Sequence, residues 1–137
     1  MLRKVFELPM NLTIGHPVID DDHARMVRII NETAVALEES KFHEATKLIF
    51  GFIELMREHM VREEEILHGT EFPWVEEHAA RHRHIILMLP RLIDESEKIQ
   101  VGGKAWDALI GKLIECLLAD AFEADLAFKA HLAGHRV

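Results

Sequence analysis

Residues 45–67 read ATKLIFGFIELMREHMVREEEIL. Apolar side chains recur there at Ala45, Leu48, Ile49, Phe52, Met56, Met60 and Leu67, the three-and-four spacing that lines one face of an α-helix. Two residues on that stripe are out of character. His59 and Glu63 occupy positions where burial is expected, and an unpartnered ionisable group is costly in an apolar core. Because they stand four apart, they lie one above the other and can offer two donors to a single point.

The same pattern repeats on either side of this segment. Upstream, Asp20 reads as an N-cap supported by Asp21 and Asp22, and His23, Met26, Val27, Ile30, Ala34 and Leu37 follow at helical spacing. Downstream, Gly69 supplies a stop and Thr70 to Pro73 a turn. Val75, His78, His82, Ile85, Leu89 and Leu92 then mark a third helix, which Pro90 is expected to bend or split. After the break at Gly102 and Gly103, a fourth stripe carries Trp106, Leu109, Ile110, Leu113, Leu117, Asp120, Ala121, Asp125 and Phe128.

No strand-like alternation competes with these stripes. Four helices joined by short loops predict an all-α fold, an up-and-down antiparallel four-helix bundle with an N-terminal extended arm. The expected organisation is one domain over residues 1–137, with the arm at 1–17 and the bundle at 18–132.

Composition narrows the function classes. Of the 137 residues, 49% are hydrophobic, enough for a core that folds without staples. A formal charge of −8 argues against a nucleic-acid partner, which needs a basic face to neutralise phosphates. No apolar run is long enough to span a membrane or serve as a secretory core, and the single cysteine, Cys116, precludes an internal disulfide. A cytoplasmic protein with no membrane partner is expected.

Seven candidate metal ligands thus fall on four apolar stripes: His23, His59, Glu63, His78, His82, Asp120 and Asp125. Each stripe places them near mid-length, so antiparallel packing is expected to bring them to a common level. Four imidazoles and three carboxylates are too many for one ion, and two ions bridged by shared carboxylates use them all. The donor mix favours iron, with manganese or zinc ranking behind, and the lack of clustered thiolates argues against an iron–sulfur centre.

The opening Gly15-His16-Pro17-Val18-Ile19-Asp20-Asp21-Asp22-His23, followed by Asn31, resembles that of the bacterial hemerythrins. The later His59-x-x-x-Glu63, His78-x-x-x-His82 and terminal Asp125 are similar too, so the resemblance covers nearly the whole chain. It implies an oxo- or hydroxo-bridged pair of iron ions that binds dioxygen reversibly, for carriage, storage or sensing. Carried over, His23 and His59 hold the iron with an open position, Glu63 and Asp125 bridge, and His78 and His82 hold the second iron.

One position departs from the family. The second iron normally has a third histidine five residues before the bridging aspartate, and this chain has Asp120 there. An added carboxylate lowers the net charge around the ions and favours the ferric state. The same richness in carboxylates leaves a di-iron oxidase, peroxidase or oxygenase as the alternative function, and a structural zinc bundle as a third.

The other histidines, His16, His43, His68, His84, His131 and His135, fall off the stripes or near ends and read as surface or capping residues. Cys116 reads as a small buried hydrophobe. Together with Ala121 it leaves small side chains near the ligands, which could open a pocket.

Overall fold

The computed structural model of the chain describes residues 15–96, 103–119 and 129–131. Four helices carry the fold: α1 (Pro17–Glu38), α2 (Phe42–Gly69), α3 (Val75–Ser96) and α4 (Gly103–Leu118). No strand occurs among the described residues, and none of these helices is long and apolar enough to cross a membrane. Most of the expected arm, residues 1–14, lies outside the described residues.

The start of α1 differs from expectation. His16, in extended backbone, is the N-cap, its Nδ1 accepting from the Val18 amide, and Pro17 follows at a position whose missing N–H costs nothing. Asp20 lies one turn inside, where its Oδ2 accepts from the Gly15 amide at 3.0 Å. That return bond resembles a capping box, and the φ of 83° at Gly15 suits a residue without a Cβ.

Both described corners end in the same local device. After α1, Ser40 takes φ 58°, its amide reaching the Leu37 carbonyl while the Lys41 amide reaches that of Ala36. After α2, Glu71 takes φ 57°, with Glu71 bonded to the His68 carbonyl and Phe72 to that of Leu67. Each pair of bonds is a Schellman motif, and at the second corner Phe72 also packs against Leu67, the apolar contact that commonly accompanies it. Gly69, expected to stop α2, is its last helical residue and not the left-handed one. Pro90 lies inside α3 on its exposed side without splitting the helix.

The helices form a ring: α1 packs on α2, α2 on α3, α3 on α4, and α4 back on α1. With corners of three and five residues, successive helices must run antiparallel, giving the expected up-and-down bundle. A large apolar cluster fills one end, including Met26, Ile30, Phe52, Met56, Leu89 and Leu113, and a smaller one of Ile19, Leu67 and Phe72 closes the other.

Candidate metal centre

Five of the seven expected ligands converge in the interval between the two apolar clusters. His23 sits on α1 between Ile19 and Met26, His59 and Glu63 on α2 below Leu67, and His78 and His82 on α3 ahead of Ile85. All are buried, with exposures of 0–2%. Asp120 and Asp125 lie outside the described residues, as does Ala121.

The level differs from the expected mid-point. His23 is in the first third of α1, His78 and His82 are in the first two turns or so of α3, and Glu63 lies less than two turns from the end of α2. Antiparallel packing does bring them level, but toward one end of the bundle, because α2 is longer than its neighbours and the larger core occupies the opposite end.

Glu63 organises the cluster. Its Oε2 faces His59 Nε2 at 3.1 Å, and its Oε1 faces His78 Nε2 at 2.7 Å and His82 Nε2 at 3.1 Å. The donors therefore form two triads, His23–His59–Glu63 and Glu63–His78–His82, each with ligand atoms within 4.8 Å of one another. One carboxylate divides its two oxygens between two clusters, as a bridging ligand does.

The outward nitrogens show which way these rings are set. His59 Nδ1 lies 2.9 Å from Asp22 Oδ2, and His82 Nδ1 lies 3.3 Å from Glu64 Oε1. A ring that donates its Nδ1–H to a carboxylate turns the Nε2 lone pair inward, the arrangement that outer carboxylates impose on ligating histidines. Inside, each Nε2 meets a carboxylate oxygen, a contact that either a proton on the imidazole or a metal ion between the two atoms satisfies. Donors at about 2.1 Å from one ion and at right angles to each other sit about 3.0 Å apart, which suits the two 3.1 Å separations, whereas the 2.7 Å between His78 Nε2 and Glu63 Oε1 is a hydrogen-bonding distance. Imidazole and carboxylate together suit a transition metal.

Sequence reasoning missed Asp22, which it placed among the acids at the start of the helix. The residue is buried, and Arg62 grips it with a two-pronged contact, Nε to Oδ2 at 3.0 Å and Nη2 to Oδ1 at 2.9 Å. Burial pushes its carboxyl up, but the hydrogen bonds and charges of His59 and Arg62 outweigh that and hold it below its ordinary value. A signal was present: Asp22 stands three residues after Ile19 and four before Met26, on the buried stripe itself.

The remaining histidines behave as caps or surface groups where they are described. His16 caps α1, while His43, His68 and His84 are exposed. His131 lies 2.7 Å from the Thr70 carbonyl and packs edge-on against Phe72 at the second corner. His135 is outside the described residues. Asn31, part of the opening motif, bonds back to the Val27 carbonyl on its own helix.

Cys116 is buried in the larger cluster, and desolvation pushes its thiol up to about 11, with neighbouring Glu115 adding to the effect. It does not line the open groove of about 540 Å³ between α3 and α4, which is walled by His84, Met88, Gly111 and Ile114 among others.

The sequence model of one family, the hemerythrin HHE cation binding domain, matches residues 15–132. The chain belongs to that family, whose description implies a cation-binding site, and its buried His and Glu side chains form two groups that could hold a metal ion. No curated protein gives a significant match to the chain.

Proposed function

We propose that this hemerythrin-family bundle is a di-iron protein that binds dioxygen reversibly at the buried centre, in carriage, storage or sensing. The observation that carries the reading is the division of Glu63 between two histidine pairs, which provides for two ions sharing one carboxylate. His23 and His59 would hold one iron and His78 and His82 the other, and Asp120 and Asp125, as the resemblance implies, would complete the set. Manganese or zinc suits this donor mix less well, because a shell of both imidazoles and several carboxylates favours iron.

Iron, when bound, supplies reversible electron transfer and an open coordination position for a small diatomic molecule. The protein supplies the rest. Glu63 and the histidines fix the spacing of the donors, and Asp22 and Glu64 keep the His59 and His82 rings turned inward. Leu67 and Phe72 on one side and Met56 and Met60 on the other wall the centre with apolar side chains, which limits side reactions of a bound molecule with water. The single cysteine, which permits no internal disulfide, suits a cytoplasmic setting.

Elemental analysis of the purified protein, followed by anaerobic and aerobic spectra, tests the reading. Two irons per chain and a spectrum that changes on admitting oxygen and reverts on removing it are expected. Zinc alone contradicts it. Iron that consumes oxygen with product formation contradicts it in favour of the oxidase, peroxidase or oxygenase alternative.

A further inference from the structure

Arg62 takes no part in either triad, yet it contacts the residue on which one of them rests. It lies on the outer side of α2 with its side chain 34% exposed, and it directs two nitrogens onto the two oxygens of Asp22. Its Nη1 also approaches Glu58, one turn earlier, at 3.8 Å. Asp22 in turn spends Oδ2 on His59 Nδ1 as well as on Arg62 Nε. The chain of contacts therefore runs from the solvent-facing guanidinium through a buried carboxylate to an imidazole whose other nitrogen faces Glu63.

The two triads are not backed alike. His82 is backed by Glu64, a longer contact to a side chain 38% exposed, where water competes for the carboxylate. Asp22 is almost fully buried, so its negative charge depends on Arg62 for compensation and its orientation on the fork. A planar guanidinium fixes both oxygens of a carboxylate at once, which an ammonium or amide cannot do. A surface groove of about 410 Å³, lined in part by Pro17, Arg25, Asp22 and Arg62, lies beside this contact. Without the fork, the Asp22 carboxylate has room to turn toward it.

We propose that Arg62 is a positioning residue of the metal centre, acting through Asp22 to hold His59 as an inward-facing donor, and so sets the affinity of the His23–His59–Glu63 triad alone. This rests on the two-ion reading above. Outer partners of ligating histidines typically change metal affinity by 10- to 100-fold when removed. Asp22→Asn is expected to weaken one of the two ions by that factor, and Arg62→Gln, one contact further out, to weaken the same ion several-fold, up to that factor, and leave the other unchanged. Arg62→Lys, which keeps the charge but not the fork, falls between. Because Arg62 acts through Asp22, adding Arg62→Gln to Asp22→Asn causes little further loss.

The experiment is an anaerobic titration of the full chain with ferrous iron against a chromophoric chelator, resolving the two binding steps, with thermal unfolding of the metal-free variants alongside. One weakened step, the other unchanged, and unaltered unfolding of the metal-free Arg62→Gln and Arg62→Lys proteins support the proposal. Two unchanged steps overturn it, and so does an equal weakening of both that tracks a loss of metal-free stability. A wild-type chain that binds no iron, or one ion only, overturns the two-ion reading itself, which the wild-type titration shows before any variant is made.

Discussion

At the scale of single residues, Glu63 is the side chain that the two triads share, and its replacement should be felt by both. Glu63→Gln is nearly isosteric but loses the charge, and it is expected to weaken both ions by 100-fold or more, whereas His78→Ala weakens one; metal titration of the two variants checks the contrast. Asp120, which the resemblance to the bacterial hemerythrins sets where they have a histidine ligand, is proposed as a ligand here, and its added negative charge should then favour the ferric state. Asp120→His is then expected to lengthen the life of the ferrous protein in air, measured by the decay of its spectrum, and an equal or shorter life contradicts the charge argument. Cys116 gives a pH dependence whose sign can be worked out. Its thiol is raised from an ordinary value near 9 to about 11 in the folded chain, so the unfolded chain loses that proton first. Below pH 9 the group does not change stability, and between pH 9 and 11 it should reduce it by an amount on the order of 2 kcal/mol. Denaturant unfolding across that interval, compared with Cys116→Ala, isolates the effect. Asp22 shows where reading residues one at a time falls short. With the helix expected to start at Asp20, Asp22 read as a first-turn acid that complements the helix dipole in solvent, whereas α1 starts at Pro17 and the place of Asp22 between Ile19 and Met26 marks it as buried.

Among the elements, the helices were legible because their apolar stripes are continuous, and His59, Glu63, His78 and His82 were legible because each pair breaks its stripe at a four-residue interval. The ends were less so. The α1 cap fell on His16, before the acids, since Pro17 fixes the first helical residue ahead of Asp20. The left-handed corner residues are Ser40 and Glu71, types that carry no strong preference for positive φ, so nothing in the sequence singled them out. Such residues pay for a conformation that glycine adopts freely. Ser40→Gly and Glu71→Gly are each expected to stabilise the metal-free protein by about 0.5–1 kcal/mol in denaturant unfolding. Phe52, fully buried in the larger cluster, is expected to cost about 3–5 kcal/mol when changed to alanine.

For the whole molecule, the level of the metal centre could not be read from the stripes, because it depends on relative helix lengths and on which end the larger core fills. The bundle is well packed at the end away from the site, whereas the site end brings two buried carboxylates and four imidazoles together. Metal binding should therefore be coupled to stability. Each of two ions at 100 times its dissociation constant adds about 2.7 kcal/mol, so stripping both is expected to lower Tm by roughly 20 °C, and scanning calorimetry with and without chelator measures it. The central claim is that two ions sit on either side of Glu63, one against His23 and His59 and the other against His78 and His82. An anomalous difference map from crystals of the iron-loaded protein, collected at the iron edge, tests it most directly. Two peaks about 3.5 Å apart, flanking the Glu63 carboxylate, are expected; a single peak, or a pair outside these triads, would contradict it.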